Sequence, residues 1–266
     1  MPPLNAAASA ELMDVLTTIS ATAAQAILRE SSGKGDVHIK ADGSPVTAAD
    51  EAAEAVICDA LKRLVPNLPV ISEEQAEHDK PIVAGASVIL VDPLDGTRDF
   101  IAGRDEYTIN IALVTDGAPI LGVIAAPALG LIWRGIVGRG AERMEFADDG
   151  KTSRPRAIHT RQPPASELIV MVSRSHLEAK TRAYVEALPQ ARPIPCGSAL
   201  KFCRIAEGAA DHYPRLAPTR DWDVAAGHAI LKAAGGSVIA PDGGPIVYGT
   251  QELRIPAFLA WGDIRG

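Results

Sequence analysis

Residues 88–100 read Val-Ile-Leu-Val-Asp-Pro-Leu-Asp-Gly-Thr-Arg-Asp-Phe, and we expect the rest of the fold to be organised around them. Four apolar residues, three of them β-branched, precede Asp92 and Pro93, which is typical of a short buried strand that ends in a turn. Because Pro93 has no backbone N–H and fixes its own φ, we expect the chain to bend there. The bend would place the Leu94 carbonyl between the carboxylates of Asp92 and Asp95.

This group of oxygen atoms indicates a metal and phosphate site. Carboxylates and a carbonyl are hard ligands of the kind that Mg²⁺ prefers, and a divalent ion explains why two acids would be held close together despite their repulsion. Gly96 allows close approach of the backbone. If Thr97 begins a short helix, its N–H groups and the positive end of the helix dipole would face an anion such as phosphate. The alternative is an ordinary surface turn, because Asp-Pro and Asp-Gly are both common turn dipeptides.

The composition is that of a globular protein with excess negative charge. The chain has 266 residues, a formal net charge of -7 and a sequence pI of about 5.4. This charge argues against a nucleic acid polymer as partner, because no sequence-independent attraction to phosphates is available, but it leaves a small anionic substrate open. The length permits one large domain or two closely packed halves.

Several features predict a cytoplasmic protein. The three cysteines are an odd number without Cys-x-x-Cys spacing, so we expect a reducing compartment and neither a disulfide framework nor a zinc site. The N-terminal residues lack a basic segment, and Glu11 and Asp14 interrupt their apolar pattern, which does not fit a signal peptide. The long charge-free run at residues 117–133 contains prolines and glycines, so it predicts a β-hairpin and no transmembrane segment. Peripheral association with a membrane is left open.

Two helices are predicted in the first quarter of the chain. Apolar residues at helical spacing predict a helix over residues 9–30, and Thr47 can cap a second helix that runs to about residue 64. Asp50 lies in the first turn of the second helix. A favourable interaction with the helix dipole would by itself explain an acid at that position.

Strands dominate the middle of the chain. Residues 70–71 predict a strand that leads to Glu73 and Glu74, and one of these acids could turn inward as a metal ligand, although adjacent acids are usually solvated. Residues 77–80 are expected to form an exposed loop. An antiparallel meander is predicted over residues 107–115, 120–126 and 131–137.

A polar, proline-bearing stretch at residues 148–164 is the predicted boundary between two halves. Beyond it, the pattern predicts strand 168–172, helix 176–188, a strand at 194, helix 198–207, a strand near 212, helix 222–234 and strand 238–239. The predicted fold class is therefore α/β, with an α+β N-terminal half and an α/β C-terminal half.

Further candidate ligands occur in the second half. Asp223 lies near the start of a predicted helix, where an acid is structurally ordinary. Residues 173–176 connect a strand to a helix, which is either a place where α/β sheets hold ligands or a simple capping turn. Ser198 is a candidate cap, and Lys201 and Arg215 are cations suited to binding an anionic substrate.

Spacing excludes other phosphate chemistries. The chain has no Gly-x4-Gly-Lys-Ser/Thr loop and no Gly-x-Ser-x-Gly nucleophile elbow. Two residues separate Asp92 from Asp95, whereas one separates the aspartates in the loop of phosphatases that form a phospho-aspartate. A cysteine phosphatase would need an arginine six residues after a cysteine, where this chain has Phe202 and Ala209. No side-chain nucleophile is indicated.

Four motifs follow one another along nearly the whole chain. They are Asp-Gly-Ser-Pro-Val-Thr-x-x-Asp at 42–50, Ser-Glu-Glu at 72–74, Asp-Pro-Leu-Asp-Gly-Thr at 92–97 and Trp-Asp at 222–223. Together they resemble the inositol monophosphatase superfamily of metal-dependent, lithium-sensitive phosphatases, and the set is far more specific than any one member. Residues 197–208, 213–215, 218–219 and 222–228 look like the CysQ-type 3'(2'),5'-bisphosphate nucleotidases within it.

The resemblance implies roles for named residues. The metal ligands for two or three Mg²⁺ would be Glu73, Asp92, Asp95, Asp223 and the Leu94 carbonyl, with Li⁺ as an inhibitor. The catalytic residues would be Asp50, Thr97 and Glu73, of which Asp50 and Thr97 would orient a metal-activated water. The substrate-binding residues would be Asp95, Gly96, Thr97, Arg98, Ser198, Lys201, Arg215 and Asp223.

The resemblance also implies a layered α/β/α/β/α sandwich of the inositol monophosphatase and fructose bisphosphatase type. It would form one phosphatase domain over residues 4–262, with a metal-site half at about 4–160, a substrate-binding half at about 161–262, and homodimers as a common assembly. Superfamily members often carry basic residues after the position of Phe100. This chain has Ala102 and Gly103 before Arg104, which weakens the expectation of substrate contacts there.

The implied reaction is hydrolysis of the 3'-phosphate of a small phosphorylated molecule, 3'-phosphoadenosine 5'-phosphate or its sulfated analogue. The products would be phosphate and AMP or adenylyl sulfate. An inositol monophosphatase or a related sugar phosphatase is the alternative. A noncatalytic sensor of metal or nucleotide on the same scaffold is the alternative from another class of protein.

Overall fold

The computed structural model describes residues 6–31, 37–39, 45–78, 87–147, 149–162, 166–175 and 177–263. The helices within these ranges are α1 (Ala6–Ser31), α2 (Ala48–Leu64), α3 (Thr97–Ile101), α4 (Ala179–Ala187), α5 (Leu200–Ala206) and α6 (Asp221–Ala233), with 3₁₀ helices at Glu73–His78 and Pro127–Leu129. The strands are β1 (Val37–Ile39), β2 (Pro45–Thr47), β3 (Val70–Ser72), β4 (Ser87–Asp95), β5 (Thr108–Thr115), β6 (Ala118–Ala126), β7 (Leu131–Ile136), β8 (Gly140–Glu145), β9 (Arg156–Ile158), β10 (Leu168–Ser173), β11 (Ala191–Cys196), β12 (His212–Arg215), β13 (Thr219–Arg220), β14 (Ser237–Ile239), β15 (Arg254–Ile255) and β16 (Phe258–Trp261).

Most strands belong to two sheets. One sheet has seven strands in the order β3-β4-β5-β6-β7-β8-β9, and the other has five in the order β11-β10-β12-β16-β14. Strands β4 to β9 form a continuous antiparallel meander, and β3 pairs with β4 in parallel. The meander predicted from the sequence is confirmed, and it is longer than predicted because β8 and β9 extend it.

Residues 88–91 are all apolar because both faces of β4 are covered. Successive side chains of a strand point to opposite faces of the sheet. Val88 and Leu90 pack in a core with α5, α6 and the five-stranded sheet, whereas Ile89 and Val91 pack in a second core with α1 and α2. All four side chains are buried, which explains a continuous apolar run in place of alternation.

The helices and sheets stack in five layers. α1 and α2 cover the outer face of the seven-stranded sheet, α5 and α6 lie between the two sheets, and α4 covers the outer face of the five-stranded sheet. On that last face, Val185 of α4 packs with Val170 and Val172 of β10. The predicted α/β/α/β/α sandwich is confirmed.

The prediction that the central strand ends at Asp92 is wrong by three residues. β4 runs on through Pro93 to Asp95, but its pairing with β5 shifts register: Asp92 lies opposite Asn110 and Asp95 opposite Thr108. Three steps along β4 therefore match two steps along β5, which is a β-bulge. A bulge tolerates a proline because the extra residue is left out of the hydrogen-bonded ladder. The predicted bend is present, inside the strand.

Other boundaries differ from the sequence-based expectations. The helix predicted from residue 176 begins at Ala179, and the predicted helix over 198–207 begins at Leu200. Residues 148–164 contain β9, which pairs with β8, so this stretch contributes to the seven-stranded sheet. The division into halves there stays a prediction. Residues 42–44 of the first motif, residues 79–80 of the expected loop and residue 176 lie outside the described residues.

The interpretation of residues 117–133 as a hairpin is confirmed, since they span β6, a 3₁₀ turn and the start of β7. Among the described residues, no helix combines the length and the apolar character needed to cross a membrane.

α6 approaches the seven-stranded sheet closely at two glycines. A Cβ atom built on Gly122 of β6 would lie 2.3 Å from the carbonyl oxygen of Ala226 in α6. A Cβ atom on Gly135 of β7 would lie 2.9 Å from the Cβ of Ala233. The missing side chains let helix backbone and sheet meet, and this contact fixes where the first turn of α6, with Asp223, is placed.

We expect Gly122→Ala to lower the free energy of unfolding by about 3 kcal/mol, because the added methyl group forces α6 away from β6. Chemical denaturation followed by circular dichroism measures the loss. Gly138→Ala is the control: Gly138 has a φ of 83° but nothing within 4 Å of the missing Cβ, so it meets no clash. That variant should lose about 1 kcal/mol from the left-handed backbone alone. Equal losses in the two variants would contradict the close contact.

Candidate metal and phosphate site

Three carboxylates from three elements meet at the carboxyl end of β4. Asp92 lies on β4, Glu73 follows the parallel neighbour β3 directly, and Asp223 lies in the first turn of α6. Each offers an oxygen atom, and these three atoms all lie within 4.8 Å of one another. Of the two adjacent acids after β3, Glu73 is thus the one that joins this cluster.

Burial and repulsion act together on Asp92. Asp92 is buried, with 1% of its surface exposed to solvent. Burial raises the pKa of Asp92 well above its ordinary value, and the neighbouring carboxylates, Glu73 first, raise it further. Each of these effects disfavours the ionised carboxylate. The protein has therefore placed an acid where, without a cation, its charge is poorly tolerated.

Asp95 lies beside this cluster, after the bulge. Burial, followed by repulsion from Asp223, raises the pKa of Asp95 from 3.8 to about 6, although Lys201 and a hydrogen bond from Asn110 act in the opposite direction. The Asn110 Nδ2 donates to Asp95 Oδ2 at 3.3 Å. Asn110 is on β5, so the amide that orients this carboxylate comes from the neighbouring strand.

The donor set fits a divalent cation that prefers oxygen. Glu73, Asp92 and Asp223 present three carboxylates close enough to share an ion, and Mg²⁺ binds through hard oxygen ligands of this kind. A cation would also offset the repulsion that raises the pKa of Asp92. The Leu94 N–H donates to Asp92 Oδ1 at 3.1 Å, so the backbone of the bulge is folded around the same carboxylate.

Asp50 is shared between a helix cap and Thr97. The backbone N–H and the hydroxyl of Thr47 both donate to Asp50 Oδ2, at 2.8 and 2.6 Å, in the capping box that begins α2. The other oxygen, Asp50 Oδ1, lies 3.1 Å from the hydroxyl of Thr97. The capping box explains why an acid occupies the first turn of α2. The contact with Thr97 is a second interaction, which the helix does not require.

Gly96 and Thr97 form the start of α3. Gly96 has a φ of 97°, in the left-handed region that favours glycine, and is the N-cap of this short helix. A Cβ atom on Gly96 would also lie 3.1 Å from the carbonyl oxygen of Glu106. The prediction that Thr97 begins a short helix is confirmed. The Thr97 hydroxyl lies 3.2 Å from the Leu94 carbonyl, so it can donate its one proton there or to Asp50.

The predicted residues line one cavity of about 290 Å³. The sequence-predicted members of the lining are Glu73, Asp92, Leu94, Asp95, Gly96, Thr97, Arg98, Ser198, Lys201, Arg215 and Asp223. Asp50 is 2% exposed, does not belong to this lining, and contacts the lining residue Thr97. The cavity is therefore acidic where Glu73, Asp92 and Asp223 meet, with Arg98, Lys201 and Arg215 supplying positive charge elsewhere in its wall.

Two supporting residues were missed as site residues from the sequence. The Thr219 hydroxyl donates to Asp223 Oδ2, which also accepts the Arg220 N–H at 3.1 Å. Thr219 directly precedes the N-cap residue Arg220, so its place beside a predicted helix start was the local signal for a contact with Asp223. Asn110, by contrast, has no local signal, because only the β4–β5 pairing places it beside Asp95.

Residues 102–104 follow α3, and the expectation of weak substrate contacts there stays a prediction. Arg104 Nη1 donates to Asp99 Oδ1 at 2.7 Å, so its charge is paired inside the segment itself. Residues 102–104 do not line the cavity that holds the carboxylates.

Comparison with protein families identifies the chain. The model of the inositol monophosphatase family matches residues 9–262. This chain belongs to the inositol monophosphatase family. The match covers both sheets and all the residues of the acidic cluster.

Relatives within the family are similar over most of their length. The 3'(2'),5'-bisphosphate nucleotidase CysQ of Escherichia coli K12 is 40% identical over 243 residues, which is 91% of this chain and 95% of the relative. The enzyme of the same name from Buchnera aphidicola is 35% identical, over 90% of this chain and 88% of the relative.

Solved structures of family members agree with the fold. The crystal structure of CysQ from Bacteroides thetaiotaomicron has a TM-score of 0.79 at 33% identity and covers 95% of this chain and 98% of its own. An inositol monophosphatase from Anabaena has a TM-score of 0.71 at 24% identity, covering 95% of this chain and 91% of its own, and this similarity concerns the fold alone.

The raised carboxylate pKa values of this family member predict a pH-dependent stability. A group whose folded pKa is raised stabilises the folded state at low pH and loses that effect as the pH rises through the folded pKa. For Asp95 the loss spans the interval from 3.8 to about 6. With EDTA present, we expect the contribution of Asp95 to the Tm to be smaller at about pH 8 than at about pH 5, whereas the buried His212 and His228, whose pKa values burial lowers, act in the opposite direction. Mg²⁺ should raise the Tm more at the higher pH.

Differential scanning calorimetry of wild type and Asp95→Asn checks this expectation. The variant removes the ionisation at position 95 but keeps a side chain of similar shape, so in EDTA the Tm of the variant relative to that of wild type should rise from about pH 5 to about pH 8. A variant with the same pH dependence as wild type would show that Asp95 does not contribute.

Proposed function

We propose that this protein is a Mg²⁺-dependent phosphatase that removes the 3'-phosphate of 3'-phosphoadenosine 5'-phosphate or of its sulfated analogue. The observation that carries the proposal is the convergence of the Glu73, Asp92 and Asp223 carboxylates with the cationic side chains in one cavity. The similarity to bisphosphate nucleotidases over 91% of the chain supports the choice of substrate. The products would be phosphate and AMP or adenylyl sulfate.

Two or three Mg²⁺ ions would be held by Glu73, Asp92, Asp223, Asp95 and the Leu94 carbonyl, and Li⁺ would inhibit. When bound, such ions supply charge stabilisation for an in-line displacement at phosphorus and favour ionisation of water. Of the two acids on β4, Asp92 is the one that belongs to the cluster of three carboxylates. Asn110 and Thr219 keep Asp95 and Asp223 in place by hydrogen bonds.

Thr97 and Asp50 would orient the attacking water. If the Thr97 hydroxyl donates its proton to Asp50 Oδ1, an oxygen lone pair remains that can accept a hydrogen bond from water. Asp50 Oδ2 is already occupied by the two donors from Thr47, so Oδ1 is the oxygen that faces Thr97. This arrangement fixes the direction of proton movement, away from the water and toward the buried carboxylate.

The remaining cavity residues would bind the substrate. The N–H groups at Gly96 and Thr97 lie at the start of α3, which suits the reacting phosphate. Arg98, Lys201 and Arg215 bring positive charge to the same cavity, as a substrate with two phosphate groups requires. Ser198 lies on the wall next to Lys201 and offers a hydroxyl.

A panel of phosphate esters tests the proposed substrate. Assayed with Mg²⁺, the protein should hydrolyse 3'-phosphoadenosine 5'-phosphate with a far higher kcat/KM than inositol 1-phosphate or fructose 1,6-bisphosphate, and Li⁺ should reduce the rate. A preference for inositol 1-phosphate would identify an inositol monophosphatase instead. Binding of the nucleotide without turnover across Mg²⁺ and Mn²⁺ titrations would support the sensor.

Two variants should separate the role of Thr97 from that of Asp92. Thr97→Ala removes the hydroxyl between Asp50 and the cavity, so we expect kcat to fall by about 10²-fold or more while Mg²⁺ affinity measured by calorimetric titration stays nearly unchanged. Asp92→Asn removes a charge from the acidic cluster, so Mg²⁺ affinity itself should fall.

Thr97→Ser is the matched control, since it keeps the hydroxyl and should retain most of the activity. Equal loss of Mg²⁺ affinity in Thr97→Ala and Asp92→Asn would contradict the division of roles.

A further inference from the structure

The loop at residues 196–201 forms part of the cavity wall and has an unfavourable backbone. Gly197, Ser198 and Lys201 line the cavity. Ser198 has a φ of 46°, in the left-handed region that non-glycine residues rarely adopt. A residue keeps such a conformation only where its surroundings hold it there. The contacts that hold this loop therefore determine the positions of the Ser198 and Lys201 side chains in the cavity wall.

Some of these contacts lie within the loop. The buried Lys201 ammonium donates to the Cys196 carbonyl at 3.2 Å and to the Ser198 carbonyl. These bonds close the loop on itself. They do not fix it relative to the phosphate and metal end of the cavity, which is built from β4 and α3.

Glu106 connects the loop at residues 196–201 to the end of the cavity that is built from β4 and α3. It follows α3 in the chain, and its Oε2 accepts the Gly197 N–H at 2.8 Å. Its two carboxylate oxygens also accept from Arg174, Oε2 from Nε at 2.7 Å and Oε1 from Nη2 at 2.8 Å, which is a bidentate ion pair. Arg174 Nη2 in turn donates to the Pro195 carbonyl at 2.9 Å. Glu106 thus holds Gly197 inside the loop, and Arg174 holds Pro195 just before it.

The backbone of Glu106 touches both loops. A Cβ atom on Gly197 would lie 2.5 Å from the Glu106 carbonyl oxygen, and a Cβ atom on Gly96 would lie 3.1 Å from the same atom. Glycine at both positions lets the two loops pack against one residue. Glu106 therefore contributes to the distance between the phosphate end of the cavity and the Ser198 wall. Asp99 of α3 also approaches this position, with its Oδ2 2.7 Å from a Cβ atom built on Gly197.

Glu106 itself is not part of the cavity lining, and neither is Arg174. Hydrogen bonding from Arg174 holds the pKa of Glu106 below its ordinary value, so the ion pair persists at neutral pH. An effect of these two residues on the substrate must consequently act through the loop. We expect this effect to change the binding of the substrate parts that reach Ser198 and Lys201, and not the binding of the reacting phosphate.

We propose that Glu106, together with Arg174, is a positioning residue that determines specificity for substrates larger than the reacting phosphate ester. The inference rests on the proposed function for the identity of the larger substrate. Glu106 holds the loop at residues 196–201 at the correct distance from the phosphate end of the cavity, so that Ser198 and Lys201 meet the nucleotide. Small phosphate esters do not extend to this loop and do not depend on it.

Steady-state kinetics of Glu106→Gln and Arg174→Gln test the proposal. With 3'-phosphoadenosine 5'-phosphate, each variant should raise KM about tenfold and change kcat less than about twofold, because the loop shifts while the reacting groups do not. With phenyl phosphate, kcat/KM should stay within about twofold of wild type. The double variant should have a KM for the nucleotide no higher than that of either single variant, because both substitutions remove the same ion pair.

Glu142→Gln is the matched control. Glu142 forms a partly buried ion pair with Arg134 on the seven-stranded sheet, and neither residue lines the cavity. This variant should hydrolyse both substrates with the kinetic constants of wild type. An equal loss of kcat with both substrates, an unchanged KM for the nucleotide, or additive effects in the double variant would each overturn the proposal.

Hydrogen exchange gives a readout that is independent of the substrate. In Glu106→Gln the amides of residues 196–201 should exchange faster than in wild type and in Glu142→Gln, with the rest of the protein unchanged. Unchanged exchange at these amides overturns the positioning role whatever the enzyme hydrolyses. If exchange rises but wild type does not hydrolyse the nucleotide, the proposed substrate is wrong, and the kinetic comparison is made with the preferred ester of the panel.

Discussion

The mutual repulsion of carboxylates in a poorly solvated cleft is the constraint on which this structure depends. Glu73, Asp92 and Asp223 bring oxygen atoms within 4.8 Å of one another, and Asp95 lies beside them. No single element could hold these groups together against their repulsion. They are held because two sheets and the helix layer between them, each with its own apolar core, bring three chain segments to one point. A bound cation would turn this repulsion into a stabilising interaction.

Several side chains serve the fold and the site at once. Asp50 completes the capping box of α2 with one oxygen and contacts Thr97 with the other. Asp223 accepts the Arg220 N–H at the start of α6 and also faces the acidic cluster. In both cases a helix N-terminus favours an acid for a local reason, and the tertiary structure adds a second role, which is contact with Thr97 for Asp50 and membership of the acidic cluster for Asp223. The same residue can therefore stabilise a helix start and take part in the candidate site.

Much of the fold could be predicted because local physics determines it. The apolar run at residues 88–91 predicted a buried strand, Thr47 predicted the start of α2, and the antiparallel meander followed from strand patterns separated by turns. Short edge strands such as β9 and β15 were not predicted, because so few residues carry no period of their own and become strands only by pairing. The continuation of β4 through Pro93 was missed for the same reason, since the bulge exists only in the pairing with β5.

The sequence by itself determined the ingredients of the site: acids at the ends of two strands and at two helix starts, a glycine at the turn before α3, and cations beside them. Only the tertiary structure decided their arrangement. It selected Glu73 from two adjacent acids and placed Asn110 against Asp95 through strand register. It also used Glu106, a residue with no local motif, to hold Gly197, which lies 91 positions further along the chain. Contacts between distant segments depend on packing and pairing, and no local pattern records them.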